Sequence, residues 1–134
     1  MNDHSGTRVL VVEDEFLVRL DLSTHLQEAG YDTIEAGSAD DAITVLESDR
    51  SIAVVFTDIK MPGTLDGIGL AKHIRRFWPR TIIVIGSANS RSLMDGMPAG
   101  CSLFGKPYDW TKWREFLCDL ETKLRFRPRF HRLL

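Results

Sequence analysis

Ala53-Val54-Val55-Phe56-Thr57-Asp58-Ile59-Lys60-Met61-Pro62-Gly63 is the stretch that decides the fold. Ala53 to Thr57 is a near-continuous apolar run without a polar alternate face, so it reads as a strand buried on both sides of a parallel sheet. Asp58 ends the run, and Met61-Pro62-Gly63 reads as a turn. The flanks carry more runs of the same kind. Val9-Leu10-Val11-Val12 and Ile82-Ile83-Val84-Ile85 are clear buried strands, Thr33–Glu35 is a weaker one, and Leu103-Phe104 is a short last one.

Amphipathic stretches separate them. Val18, Leu22, Leu26 and Ala29 recur at helical spacing, and Gly30 closes that helix. Ser38 is placed to cap a helix carrying Ala42, Ile43 and Leu46. Leu70, Ala71, Ile74 and Trp78 mark a third helix, stopped by Pro79. Residues 89–98 are poor in helix signal, and the final helix carries Trp113, Leu117, Leu120 and Leu124. The order is five β–α units, which implies a doubly wound three-layer α/β sandwich with its ligand site beyond the carboxyl ends of the strands.

The bulk composition agrees. A chain of 134 residues, 43% hydrophobic and 27% charged, is one ordinary globular domain able to bury a core without staples. Cys101 and Cys118 make neither a disulfide framework nor a metal motif, and the expectation is two reduced, buried thiols in a cytoplasmic protein. The polar N-terminus has no apolar signal region, and no run is long enough to span a membrane. The net charge of −2 hides an asymmetry. Up to Thr122, twelve Lys and Arg oppose nineteen acids, a balance of −7, and five more bases and no acid follow. The expected division is a polar, flexible lead at 1–7, the domain at 8–124 and a basic tail at 125–134.

Chemistry-bearing residues gather at the predicted strand ends. Glu13 and Asp14 follow the first strand, Asp58 the third, Gly86-Ser87-Ala88 the fourth and Lys106-Pro107 the fifth. Clustered carboxylates repel, and a cation is the usual remedy. Mg²⁺ favours one or two carboxylates together with waters and phosphate oxygens. Asp58 has the chemistry of a nucleophile forming an acyl phosphate. Lys106 and the metal would neutralise the transferring oxygens, and Ser87 offers a hydroxyl to one of them. Solvated helix-end acids, a loop-capping Asp58 and a surface Lys106 are the plain readings of the same residues taken singly.

Glu13-Asp14, Asp58-Ile59-Lys60-Met61-Pro62-Gly63, Asp66-Gly67, Ser87-Ala88 and Lys106-Pro107, in that order, resemble the receiver domains of two-component response regulators from about Arg8 to Leu124. The resemblance implies a flavodoxin-like (βα)5 fold with strand order 2-1-3-4-5. It implies Asp58 as phosphoacceptor, Mg²⁺ or Mn²⁺ on Glu13, Asp14, Asp58 and the main-chain carbonyl of Lys60, and Lys106 paired with the phosphate. It implies a cis Lys106–Pro107 bond, and a histidine kinase or histidine phosphotransfer protein as donor. The expected role is a stand-alone signalling switch, not an enzyme with its own substrate, acting through protein contacts. The alternatives are a receiver-like binding module that works without phosphorylation, and an Asp-nucleophile phosphatase. Lys60 argues against the latter, since such enzymes place a second Asp there.

Two features depart from the family. The aromatic expected three residues before Lys106 is Leu103, and either Gly86 or Ser87 fills the switch-hydroxyl position. The expectation is that no aromatic swings on activation and that residues 86–100 order or shift instead. The tail alternates Arg125, Arg127, Arg129 and Arg132 with Phe126, Pro128, Phe130 and Leu133. It reads as a solvated end or as a docking segment for an acidic partner, including a second copy in a homodimer. Nucleic acid is disfavoured by the acidic body.

Overall fold

A computed structural model describes residues 7–61, 63–87, 96–106 and 108–126. The elements in chain order are β1 (Arg8–Val12), α1 (Phe16–Glu28), β2 (Asp32–Ala36), α2 (Ala39–Ser48), β3 (Ile52–Asp58), α3 (Gly67–Phe77), β4 (Ile82–Ser87), β5 (Ser102–Gly105) and α4 (Trp113–Phe126), the last preceded by a 3₁₀ turn at Trp110–Lys112. The strands form one five-stranded parallel sheet of order β2-β1-β3-β4-β5. This is the flavodoxin-like arrangement that the resemblance implied. Among the described residues no helix is long and apolar enough to cross a membrane.

Strand periodicity sorts the side chains into two cores. Val9 and Val11, Val54 and Phe56, Val84 and Phe104 pack against Leu22 and Leu26 of α1 and Trp113 and Leu120 of α4. Leu10 and Val12, Val55, Ile83 and Ile85 pack against Ala42 and Leu46 of α2 and Leu70 and Ile74 of α3. β3 is buried along its whole length, as its continuous apolar run requires.

Local chemistry sets the element ends. Ser38 Oγ accepts from the Asp41 amide at 3.1 Å and caps α2. Asp66 Oδ1 accepts from the Gly69 amide at 2.8 Å and caps α3. Gly30 turns the chain after α1 at φ +99°, where a side chain would be strained. β2 runs a residue further at each end than Thr33–Glu35, because its backbone pairs with all five residues of β1.

One burial expectation is corrected. Both cysteines are free, but Cys101 is half-buried and Cys118 is exposed. Cys118 follows the half-buried Leu117 on α4, and a step of roughly 100° about the helix carries it off the Trp113–Leu120 stripe to solvent. Trp110 and Trp113 form part of the aromatic packing around the last helix, with the half-buried His25 ring stacked on Trp110 at a centroid distance of 3.5 Å. The lead at 1–6 and the tail beyond Phe126 lie outside the described residues, as do 88–95 of the proposed switch segment and Pro107 of the expected cis bond.

Candidate functional site

The parity that builds the core also builds the site. Glu13 continues the Val9–Val11 alternation past the end of β1, Asp58 follows Phe56, Gly86 follows Val84 and Lys106 follows Phe104. All four positions therefore fall on the α1/α4 face of the sheet, at its carboxyl edge. The register confirms the alignment: Asp58 pairs with Gly86, and Ser87 pairs with Gly105.

Asp58 closes the all-buried strand β3 and is only 9% exposed. Its Oδ1 accepts from the Ile59 amide at 2.7 Å, and its Oδ2 faces the Lys106 ammonium at 3.3 Å. Glu13 is 1% exposed. Its Oε1 accepts from Lys106 Nζ at 3.0 Å and its Oε2 from the Glu15 amide at 3.1 Å. The Glu13 main chain is held on both sides, its N–H donating to Ala36 at 3.1 Å and its carbonyl accepting from Arg19 Nη1 at 2.7 Å. Arg19 is anchored in turn on Glu35 at 2.9 Å. Lys106 is thereby placed between two buried carboxylates, and its own amide donates to the Ser87 carbonyl at 2.8 Å.

The electrostatics follow from burial and these partners. Burial pushes the Glu13 carboxyl above the usual range, partly offset by the Glu15 amide and Lys106, while the charge of Asp58 raises it further. Burial works against the Lys106 ammonium, but the hydrogen bond to Glu13 and the charge of Asp58 outweigh it and hold its pKa above the ordinary lysine value. Lys106 is thus a fixed cation. Glu13, Asp14 and Asp58 each bring a carboxylate oxygen to within 4.8 Å of the others, with Asp14 on the solvent side. Three carboxylates against one ammonium leave an excess of negative charge beside open solvent. All the donors are hard oxygens, so the set fits Mg²⁺. Lys60 lies in the loop after Asp58 with its side chain exposed.

The sequence-predicted residues Glu13, Asp14, Asp58 and Lys106 are brought together. Ser87 is not. Alternation along β4 aims it to the face of Ile83 and Ile85, and the position beside Asp58 belongs to Gly86. Sequence reasoning passed over Arg19 and Tyr108. The Tyr108 ring packs edge-on to Phe56 at 5.8 Å and stacks on Phe104 at 5.4 Å, and Lys106 Nζ lies 5.8 Å from its centroid. Burial, then the charges of Glu13 and Asp58, push its phenol well above the ordinary tyrosine value, so it stays a proton donor. The available signal was its spacing, two residues after Lys106, combined with a glycine where the site needs a side chain. A cleft of about 500 Å³ opens beside these groups, lined by Glu15, Leu17, Val18, Asp21, Lys106, Tyr108 and Trp110.

Comparison with known proteins matches residues 9–107 to the model of the response regulator receiver domain. The transcriptional regulatory protein PdtaR of Mycobacterium tuberculosis is 37% identical over 89 residues, which is 66% of this chain and 42% of that protein. This chain therefore matches less than half the length of that relative. The response regulator protein TrrA of Thermotoga maritima, solved in complex with Mg(2+)-BeF, superposes with a TM-score of 0.73 at 29% identity over 85% of this chain and 98% of that one. A response regulator receiver protein of Sinorhizobium medicae superposes with a TM-score of 0.80 over 91% of this chain and 97% of that one, at 24% identity, and is similar in fold.

Proposed function

Because this chain belongs to the response regulator receiver domain family, we propose that it accepts a phosphoryl group on Asp58 and signals through the resulting change of surface. The observation that carries the reading is the position of the Asp58 carboxylate. It ends a fully buried central strand, with Lys106 at 3.3 Å on one oxygen and Glu13 and Asp14 within metal-binding range.

Asp58 Oδ2 is the nucleophile, since Oδ1 is held by the Ile59 amide. It attacks the phosphorus of a phosphohistidine on a histidine kinase or phosphotransfer protein. The O–P bond forms as the P–N bond breaks, and the imidazole leaves with that electron pair. Lys106 Nζ, already oriented by Glu13, neutralises an oxygen of the transferring group at no cost of reorganisation. Glu13, Asp14 and Asp58, with the Lys60 main-chain carbonyl, would hold Mg²⁺ or Mn²⁺, which when bound supplies further positive charge to those oxygens. Water later cleaves the acyl phosphate, releasing inorganic phosphate and restoring the carboxylate. In this reading the chain is a switch and not an enzyme with an external substrate, and donors of that kind are in keeping with action in the cytoplasm.

Titration with beryllofluoride and Mg²⁺, followed by fluorine NMR, tests this reading. Saturable, Mg²⁺-dependent binding by the wild type and none by Asp58→Asn is expected. A wild type that does not bind contradicts it.

A further inference from the structure

A phosphoryl group on Asp58 presents three anionic oxygens. Lys106 and a bound metal would serve two of them, and the resemblance implies a hydroxyl after β4 for the third. The structure places no hydroxyl there from β4 itself. Gly86 is the register partner of Asp58 and has no side chain, and Ser87 faces the other side of the sheet.

The space beside Gly86 is filled all the same. A Cβ on Gly86 would lie 2.4 Å from Tyr108 Oη and 3.1 Å from its Cε1 and Cζ. The phenol head thus takes the place of the missing side chain. The ring is fixed by Phe56 and Phe104, and its hydroxyl has no hydrogen-bond partner among the described residues. It points to the strand ends where Glu13 and Asp58 lie close enough for their charges to act on it. A glycine at 86 and a tyrosine at 108 are therefore two halves of one arrangement, since any larger residue at 86 would evict the phenol.

We propose that Tyr108 Oη, in the slot left open by Gly86, donates the hydrogen bond to the third phosphoryl oxygen on Asp58. This rests on the phosphoacceptor reading above and names a further residue that touches the reacting group. The donor enters from the segment after β5 rather than from β4. Because the same ring packs on Phe56 and Phe104, the phosphate is bonded directly to the aromatic core under α4.

Tyr108→Phe removes one oxygen and keeps the ring. It should bind Mg²⁺–beryllofluoride about tenfold more weakly than wild type, the equivalent of about 1.4 kcal/mol, with an unchanged melting temperature. Wild-type affinity in Tyr108→Phe would overturn the proposal. A fall in melting temperature without a change in affinity would assign the hydroxyl to packing and overturn it too. Wild-type binding in the same titration separates these outcomes from failure of the phosphoacceptor reading itself.

Discussion

Gly67 shows how closely the helix after the turn is pressed onto the phosphoacceptor. A Cβ there would meet the Asp58 carbonyl oxygen at 2.1 Å and the Ile59 Cα at 2.6 Å, both backbone atoms that cannot swing away. The Gly67 amide also donates to the Ile59 carbonyl at 2.7 Å. Gly67→Ala should therefore destabilise the fold by about 1–3 kcal/mol, the usual range for overpacking, read as a lower denaturant midpoint. It should also slow labelling of Asp58. Wild-type stability would mean that the loop relaxes freely. Asp14 makes the opposite case: it is exposed and sits with two other carboxylates. Asp14→Asn should weaken Mg²⁺ binding yet raise the melting temperature of the metal-free protein, by removing repulsion. Unchanged Mg²⁺ affinity in a calorimetric titration would remove Asp14 from the metal set. At this scale the sequence was legible wherever residues stand at the ends of clear strands. Glu13, Asp14, Asp58 and Lys106 were all found that way. Tyr108 was not, because its signal is split between its spacing after Lys106 and the side chain that Gly86 lacks, and neither half points to the site alone. Ser87 was ambiguous because a one-residue shift of register exchanges the faces of a strand. Only the pairing of Asp58 with Gly86 resolves it.

The elements were legible in proportion to their burial. β3 and β4 are apolar enough to declare themselves, whereas β2 carries Asp32 and Glu35 on an edge and is fixed by its pairing with β1. α1 was read from Leu22 and Leu26, which are buried, but Phe16, Leu17 and Leu20 of the same helix are exposed. Its apolar residues go nearly all round, so period alone could not sort the inner ones from the outer ones. The α2 cap was legible, and it yields a sharp expectation. Ser38→Ala leaves the Asp41 amide without its acceptor and should cost about 1 kcal/mol, measured by chemical denaturation. A loss near zero would mean that water replaces the cap. On β5, Leu103 stands three residues before Lys106, pairs with Ile85 and packs against the α2/α3 core. A cluster of aromatic rings lies instead on the opposite face, from Phe56 through Tyr108 and Phe104 to Trp113.

The whole molecule sets a shared ledge of negative charge against the half-buried ammonium of Lys106. A cation that binds the folded ledge and not the unfolded chain must stabilise the protein by mass action. Mg²⁺ at a hundredfold excess over its dissociation constant should add about 2.7 kcal/mol, seen as a higher melting temperature in wild type and a much smaller rise in Asp14→Asn. No shift in wild type at millimolar Mg²⁺ would contradict the metal assignment. The basic tail enters the described structure only at its start, where Arg125 pairs with Glu121 at 3.7 Å. The measurement that bears most directly on the account is intact mass after incubation with acetyl phosphate and Mg²⁺, for wild type and Asp58→Asn side by side. Asp58 is predicted to take one phosphoryl group that survives acid and is lost in base, with none on the variant. A wild type that stays unlabelled, or a variant that labels equally, would contradict the claim that Asp58 is the phosphoacceptor.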